Sequence, residues 1–430
     1  MGQWLTAHQR QALLGVVLVY LALSGAFWQA AGFGFGPDEE PHLLYVQTLV
    51  ATRHLPVFRA DPADPNFEAH QPPLYYLLSI PLYLAARSGG TEVAGRTVAL
   101  LSMICGALLV VVTAALVGEL FPSQPLLALG TAAFVAALPM YQFLTSRVNN
   151  DNLSFLLWGV ALWLSGRTLR CGWSAPRSLA TGATVGAALL TKANGVFLLP
   201  LVWVAIGLRA SQEERPVRDF LRHAGLVTGV ALLLGGWWFV RNLALYGDPL
   251  AQRVFNQRFL PTRVKPEDFL HAPPPLRLTP AGYWRKVCRN IFCSFWGLYG
   301  HMNQPMAEWV YVLFGLWTAA AGAGLWLLWQ EARVGRSGFD LVQRQGLWVL
   351  GLGLFGLFAL LLRFNTVYYQ AQARYLFPLL PGGALFFLLG LQRLAPARGW
   401  RYVLGGLLLT QLLASVLSLA VYLHLPPRYL

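Results

Sequence analysis

Long apolar runs separated by short arginine-rich segments constrain this chain more than any other feature of its sequence. Because a helix rises 1.5 Å per residue, about 20 apolar residues cross the hydrocarbon core of a bilayer. Only 12% of the residues are charged, about half the share in soluble domains. The sequence predicts an all-α polytopic membrane protein of about eleven transmembrane helices, with apolar runs at 12–29, 98–120, 126–144, 153–169, 179–191, 196–208, 224–240, 309–329, 347–362, 376–391 and 403–424.

A twelfth apolar segment, 72–86, can either span or lie in the interface, because it is short, begins with two prolines and contains Pro81. Arginine-rich short loops favour the cytoplasmic side. If 72–86 does not cross, the later arginine clusters fall on the side of Arg10, namely those near Arg167, Arg209, Arg333 and Arg393. We therefore prefer eleven spans over twelve in one domain, 1–430, with the amino terminus inside and the carboxyl terminus outside.

The formal net charge of +14 is explained mostly by this topology, so nucleic acid is not an expected partner. Two long segments are expected outside, a first loop at 32–92 and a basic loop at 246–306. Long loops can translocate regardless of their charge. The second loop ends in an aromatic stretch near 283–299, which predicts an interfacial helix. It is either a lid over an anionic lipid head group or an aromatic belt with snorkelling arginines.

The first external loop contains an acidic, histidine-rich stretch at 36–76. A helix starting near Pro37 would place Asp38, His42 and Tyr45 on one stripe, with an apolar face beside it. A carboxylate and an imidazole one turn apart can share a proton, a metal ion or a sugar hydroxyl. The alternative is an ordinary loop in which Asp38 only caps the helix.

Other polar groups are expected to meet Asp38 at the outer boundary. The first group, Asn149, Asn150 and Asp151, lies between two spans, where helix capping is the alternative. Lys192, one of only three lysines, lies at a tight turn and could bind phosphate or snorkel. Arg374 opens a span on the outer side, where a cation suits an anionic head group. The remaining candidates for substrate binding are His70, Gln71, Tyr75, Tyr76, Arg241, Tyr369 and Tyr375.

A divalent metal is an open possibility. Carboxylate and imidazole groups of Asp38, His42, His70 and Asp151 could together ligate such an ion, and Asp-Glu-x-x-His has the one-turn spacing that metal sites use. The helix offers neither a thiolate nor a second histidine, which argues against this alternative. No cofactor is therefore predicted with certainty.

Four motifs in this order resemble the GT-C superfamily. They are Asp38-Glu39 after the first span, the run His70 to Tyr76, Asn149 to Asp151, and Arg374 to Pro378. Members are integral-membrane glycosyltransferases that use polyprenyl-phosphate sugars, such as protein O-mannosyltransferases and the aminoarabinose transferase of lipid A. The resemblance implies a GT-C fold, a catalytic acid at Asp38 with Glu39 beside it, a second acid at Asp151 and a juxtamembrane helix after His70.

These observations predict a glycosyltransferase in the cell membrane, with its active site on the extracytoplasmic side. It would move a sugar from a polyprenyl-phosphate donor to a glycan, lipid or protein acceptor, with Asp38 as general base. Lys192, Arg374 and Arg241 would neutralise the leaving phosphate. Acceptor recognition is expected from the membrane part and the loop 246–306. The alternative is a multi-pass transporter or lipid flippase, which would carry charges near the middle of its spans.

Overall fold

The structure is a computed structural model that describes residues 2–396 and 398–423. In this part of the chain the secondary structure is almost entirely helical, and the only strands form a small antiparallel hairpin, β1 (Leu298–Tyr299) with β2 (Gln304–Pro305). The predicted all-α class is therefore confirmed.

The first half of the chain contains nine α-helices and three short 3-10 helices among its described residues. The 3-10 helices are Phe67–His70, Arg87–Gly89 and Ala193–Phe197. The α-helices are α1 (Gly2–Ala30), α2 (Glu39–Thr52), α3 (Leu74–Ala86), α4 (Gly90–Leu120), α5 (Pro125–Ala137), α6 (Pro139–Thr145), α7 (Asp151–Cys171), α8 (Ala175–Leu189) and α9 (Leu198–Ala210).

The second half continues the bundle, with one further 3-10 helix at Ala373–Leu379. Its α-helices are α10 (Pro216–Tyr246), α11 (Gln252–Phe259), α12 (Pro266–Leu270), α13 (Pro280–Trp296), α14 (Glu308–Arg333), α15 (Leu341–Phe364), α16 (Leu380–Leu394) and α17 (Trp400–Leu423). The most extensive helix pairs are α4 with α7, α8 with α10, and α14 with α16. Helix α13 lies where the sequence predicted an interfacial helix.

Eight helices in the described residues are long and apolar enough to cross a membrane, or nine if one bent pair forms a single span. Eight of the eleven predicted runs coincide with them, although the last predicted run ends at His424, outside the described residues. The bent pair is α5 with α6, which meet at 63°. Pro139 explains this break, because a proline disfavours helical geometry in the preceding residue and lacks an N–H. The exact count of eleven is not confirmed.

The short helix α3 folds back on α4. The Tyr75 hydroxyl, in the first turn of α3, lies 2.9 Å from the Ser102 hydroxyl, well inside α4. One continuous helix would separate two residues 27 positions apart by about 40 Å. With 13 residues, α3 is about 20 Å long and too short to cross a hydrocarbon core of about 30 Å. It lies beside the start of α4, where Arg96 donates hydrogen bonds to the carbonyls of Trp28 and Gln29 at the end of α1.

The two long loops are fastened to each other by Arg258 of α11. Its guanidinium donates hydrogen bonds to four backbone carbonyls of the first loop. Only 6% of the residue is exposed. The acceptors are the carbonyl oxygens of Arg59, Asp61, Pro62 and Asp64. In addition, the Tyr246 hydroxyl accepts a hydrogen bond from the backbone N–H of Phe58. The second loop therefore packs directly on the first, beside the acidic stretch.

Helices α14 and α16 approach so closely that glycine is required at their crossing. A Cβ atom added at Gly324 would lie only 1.8 Å from the carbonyl oxygen of Gly390. Close backbone approach through small residues is a common way for helices to associate in membranes, where lipid provides no hydrophobic driving force between them.

We expect Gly324→Ala to destabilise the protein by about 2 kcal/mol or more, because overpacking a well-packed core costs roughly 1–3 kcal/mol and the clash here is with backbone, which cannot move aside as a side chain can. Thermal unfolding in detergent measures the effect. Gly322→Ala, in the same helix, is the matched control, since a Cβ there meets nothing within 4 Å. Equal melting temperatures for the two variants would contradict the close crossing.

Candidate active site

Asp38 lies at the turn between α1 and α2 with its side chain directed away from the helix end. Its backbone is left-handed, with φ 62°, and its carboxylate makes no capping hydrogen bond to α2. Instead, Oδ2 accepts a hydrogen bond of 3.1 Å from the Arg374 guanidinium. The side chain keeps 31% of its surface exposed. The alternative in which Asp38 only caps a helix therefore does not describe its contacts.

Four ionic residues that are distant in sequence form one cluster, the tetrad Asp38, Asp151, Lys192 and Arg374. Asp151 opens α7 and pairs with the Lys192 ammonium through Oδ1. Its Oδ2 lies 3.9 Å from the Arg374 guanidinium, which also binds Asp38. The side chains of Asp151 and Arg374 are each only 7% exposed. The structure thus brings together the acid of the first loop, the acid of the third motif, the lysine at the tight turn and the outer arginine.

Electrostatics keep Asp38 ionised. Burial alone would raise the pKa of Asp38, but the positive charge of Arg374 holds this pKa below its ordinary value. An ionised carboxylate with partly exposed oxygens can accept a proton. Arg263, from the loop after α11, adds a further favourable charge near Asp38. This residue is exposed, and no local feature of the sequence marks it.

His42 and Tyr76 form the wall beside Asp38. The Nδ1 atom of His42 and the Tyr76 hydroxyl share a hydrogen bond of 2.8 Å, and the ring of Tyr45 stacks on Tyr76 with centroids 3.8 Å apart. Burial lowers the pKa of His42, although the nearby carboxylates of Glu68 and Asp38 oppose this. The imidazole is therefore neutral at neutral pH. Tyr75, next in the chain, binds Ser102 and accepts a hydrogen bond from the backbone N–H of Asn149.

His70 and Gln71 connect the first loop to α7. The Nδ1–H of His70 donates to the carbonyl of Phe67 at 2.7 Å, and its Nε2 accepts from the Gln71 amide at 3.1 Å. Burial lowers the pKa of His70 to about 4. The Gln71 carbonyl oxygen in turn accepts from the Asn150 side chain. The low pKa makes His70 neutral at neutral pH. Its ring packs against aromatic rings of both loops, those of Phe58 and Phe255.

Within the group for which helix capping was the alternative, Asn149 is the residue whose side chain binds a backbone N–H at the start of α7. Its side-chain oxygen accepts a 2.8 Å hydrogen bond from the backbone N–H of Asp151. Asn150 instead donates to the backbone carbonyl of Thr191, the residue before Lys192. These contacts fix the starts of the two segments that carry Asp151 and Lys192, so the amides position the tetrad.

Three remaining candidates divide by position. Tyr375 contacts the tetrad, since Lys192 and Arg374 lie 5.6 and 5.4 Å from its ring centre. Arg241 instead donates to the carbonyl of Pro56 and lies over the Trp238 ring. The Tyr369 hydroxyl accepts from Asn290 of α13. Neither Arg241 nor Tyr369 forms a hydrogen bond or ion pair with the tetrad. The side chain of each binds a residue of a long loop instead.

Glu39 is held in place by backbone amides and one arginine. It accepts hydrogen bonds from the N–H groups of Gly34, Gly36 and Val148 at 2.8 to 3.1 Å, and it pairs with Arg147 at 3.6 Å. Only 2% of the residue is exposed. Such contacts suit a residue that positions the turn before Asp38 rather than the catalytic acid suggested from the sequence.

Arg147 completes this anchor and was not among the sequence candidates. Its guanidinium donates to the carbonyls of Phe27, Ala31 and Gly32 at the end of α1. Its aliphatic stem packs on Gly36, where an added Cβ would lie 2.7 Å away. Arg147 lies two residues before Asn149, but nothing local in the sequence shows which acid it pairs with.

A divalent metal does not fit the four ligands considered from the sequence. Both carboxylate oxygens of Asp151 face Lys192 or Arg374. The Nε2 lone pair of His70 is used by Gln71, which leaves only Asp38 and the Nε2 atom of His42 as possible ligands among the four. Within the described part of the chain, no three His, Cys, Asp or Glu side chains are arranged to hold a metal ion. No chemical step is therefore assigned to a metal.

Comparison with known proteins agrees with this architecture. Residues 70–238 match the sequence model of the family described as dolichyl-phosphate-mannose-protein mannosyltransferase. A comparison with curated protein sequences gives no match.

Solved structures share the fold over almost the whole chain. The oligosaccharyltransferase of Archaeoglobus fulgidus, tethered to an acceptor peptide containing the NVT sequon, superposes with a TM-score of 0.58 at 14% identity, covering 98% of this chain and 56% of that one. ArnT from Cupriavidus metallidurans, bound to undecaprenyl phosphate, gives a TM-score of 0.56 at 18% identity, covering 91% and 62%. AglB from Archaeoglobus fulgidus, in complex with an inhibitory peptide and a dolichol-phosphate, gives 0.57 at 12% identity, covering 98% and 56%.

The fold and the candidate site define an integral membrane protein with the GT-C fold. The resemblance to the GT-C superfamily, with protein O-mannosyltransferases and ArnT among its members, is thereby confirmed. The chain spans 56 to 62% of the length of these solved structures.

Proposed function

We propose that this protein is a glycosyltransferase that moves a sugar from a polyprenyl-phosphate donor to a glycan, lipid or protein acceptor. The observation that carries the proposal is the tetrad, in which two acids and two cations from four separate segments converge. One of the two acids, Asp38, remains partly exposed. Ionic groups at the edge of a membrane domain are costly to maintain and are most often functional.

Asp38 acts as general base in this mechanism. Its carboxylate is ionised and partly exposed, and only Oδ2 is engaged by Arg374. It removes the proton of the acceptor hydroxyl as that oxygen attacks the anomeric carbon of the donor, and the bond from that carbon to the phosphate oxygen breaks. One displacement assisted by one base inverts the configuration of the anomeric carbon.

The cations of the tetrad stabilise the leaving lipid phosphate. Arg374 carries five N–H donors, of which Nε is buried with no hydrogen-bond partner. Negative charge grows on the phosphate in the transition state, where preorganised cations lower its energy most. Asp151 holds Lys192 and Arg374 in position before the donor arrives. Arg263 supplies a further exposed cation near Asp38.

The comparisons support this class of donor. The matched family is named for dolichyl-phosphate-mannose, and two proteins of the same fold were solved with undecaprenyl phosphate or a dolichol-phosphate bound. The position of the site at the end of α1, together with the arginine distribution, supports an active site on the extracytoplasmic side of the cell membrane. The ionic groups of the tetrad gather at helix ends rather than in mid-span, which disfavours the transporter or flippase alternative.

The function is tested by incubating the purified full-length protein with undecaprenyl phosphates that carry mannose, glucose or 4-amino-4-deoxyarabinose, together with membrane lipid and peptide acceptors. We expect one donor to be consumed, with release of undecaprenyl phosphate measured by mass spectrometry. Binding of undecaprenyl phosphate itself is measured in parallel. A protein that binds none of these lipids and consumes no donor would contradict the proposed function.

A further inference from the structure

Glu68 is a third carboxyl group beside the tetrad, and the mechanism above does not use it. It lies in the 3-10 helix Phe67–His70, and only 6% of the residue is exposed. Gln71, which follows this segment, accepts a hydrogen bond from Asn150 beside Asp151, and the carboxylate of Asp38 acts electrostatically on Glu68, so Glu68 and the proposed base belong to one site. Burial raises the pKa of Glu68, and the charge of Asp38 adds to this.

The Oε2 atom of Glu68 is buried with no hydrogen-bond partner, and it is the only carboxylate oxygen in that state among the described residues. By contrast, Glu39 and Asp151 have both oxygens engaged. A buried polar atom without a partner is costly, and native structures retain one mainly where a function accounts for it. The missing partner of Glu68 therefore points to a ligand group that binds there.

The surrounding charges indicate which part of the donor that group belongs to. The phosphate requires cations, which Lys192 and Arg374 supply on the side of Asp151. Glu68 is itself an acid, and the charge of Asp38 acts on it more strongly than that of Lys192, so a second anion is disfavoured beside it and a neutral hydrogen-bond donor is favoured. A sugar offers such donors in its hydroxyl or amino groups. The site therefore has a cationic half for the phosphate and an acidic half for the sugar.

We propose that Glu68 is a specificity-determining residue that binds the transferred sugar of the donor, with its carboxyl forming a hydrogen bond to a hydroxyl or amino group of that sugar. This inference rests on the proposed function, because it requires a sugar-bearing lipid phosphate as donor. It assigns the sugar contact to the segment Phe67–His70, and it leaves the lipid phosphate to Lys192 and Arg374.

The test compares donor lipids with and without a sugar. Dissociation constants are measured for the full-length protein in nanodiscs with undecaprenyl phosphate alone and with the mannosyl, glucosyl and 4-amino-4-deoxyarabinosyl forms. For the preferred sugar, we expect Glu68→Ala to weaken binding about tenfold or more, the usual scale for losing a buried hydrogen bond to a charged or polar group. Affinity for undecaprenyl phosphate alone should stay within about threefold. Glu68→Gln, which has the same shape and can still hydrogen-bond, should lose less than Glu68→Ala.

Glu40→Gln is the matched control, since Glu40 is an exposed acid close in sequence to Asp38, and it should leave all four constants unchanged. Melting temperatures identify any variant that fails to fold. If Glu68→Ala fails to fold, the isosteric variant Glu68→Gln carries the comparison instead. Equal losses for sugar-bearing and bare lipid would overturn the sugar contact, as would no loss at all. If the unaltered protein binds every lipid alike, the role of Glu68 fails while the lipid-phosphate site stands. If it binds none of them, the proposed function itself fails.

Discussion

Replacing Asp38 by asparagine should lower turnover by about 10²- to 10⁴-fold, the usual contribution of a positioned general base. Asparagine has nearly the same shape and, like aspartate, tolerates the left-handed backbone that this position adopts. The substitution therefore removes the basic oxygen without forcing the turn to rearrange. Arg374 keeps its second partner, Asp151, so the cationic half of the site remains. Donor affinity should change by less than about tenfold, which separates a loss of chemistry from a loss of binding.

Steady-state turnover and equilibrium donor binding are measured on the same preparation. Asp61→Asn serves as the control, because Asp61 is an exposed acid in the same external loop and should retain full activity. Unchanged turnover in Asp38→Asn would remove Asp38 from the role of base. A joint loss of binding and turnover would instead identify Asp38 as a residue that only holds Arg374 in place.

The apolar runs predicted most of the membrane domain because hydrophobic length is a local property of sequence. Eight of eleven runs coincide with candidate spans of the structure, whereas three do not, each for a visible physical reason. Helix α5 breaks from α6 at Pro139, α7 begins with polar residues and includes Arg167, and α8 has only 15 residues. A count of spans is therefore less predictable than the presence of a bundle.

The sequence predicted which residues form the site better than it predicted the role of each residue. Topology alone placed Asp38, Asp151, Lys192 and Arg374 on one side, and the structure brings these four into contact. Adjacent residues with the same chemistry proved harder to separate. Glu39 looks equivalent to Asp38 in sequence, yet its oxygens are taken by three backbone amides and Arg147, which lies more than 100 positions away. Pairings of this kind depend on packing between distant helices, and no local pattern encodes them.

The same limit applies to Arg258 and Glu68. Arg258 is one of many arginines in a basic loop, and only the fold shows that its guanidinium binds the carbonyls of the first loop. Glu68 precedes a recognisable motif, but its unpartnered oxygen is a property of the packed site. Sequence identifies where ionisable residues are unexpectedly concentrated, whereas the structure shows which of them remain available for a substrate.

Arg374→Ala should have the largest effect on donor binding. The guanidinium is the one group that contacts both acids of the tetrad, and its removal leaves two buried or half-buried carboxylates facing each other. In the proposed complex, Arg374 pairs with the lipid phosphate. Truncating one partner of a buried, hydrogen-bonded charge pair across a binding interface costs about 2–5 kcal/mol, so affinity for undecaprenyl phosphate should fall by about 30-fold or more. The two carboxylates would also repel the incoming phosphate, which adds to the loss.

Arg374→Lys should recover only part of this affinity, because the lysine ammonium is a compact point charge and lacks the planar fork whose two terminal nitrogens face Asp38 and Asp151. Arg363→Ala is the matched control, since Arg363 is an exposed arginine near the end of α15 whose side chain donates a hydrogen bond to Thr366. Equilibrium binding of undecaprenyl phosphate to the three variants, with melting temperatures recorded for each, measures the effect. Full affinity in a folded Arg374→Ala variant would show that the phosphate binds elsewhere, and the division of the site into a cationic and an acidic half would then be wrong.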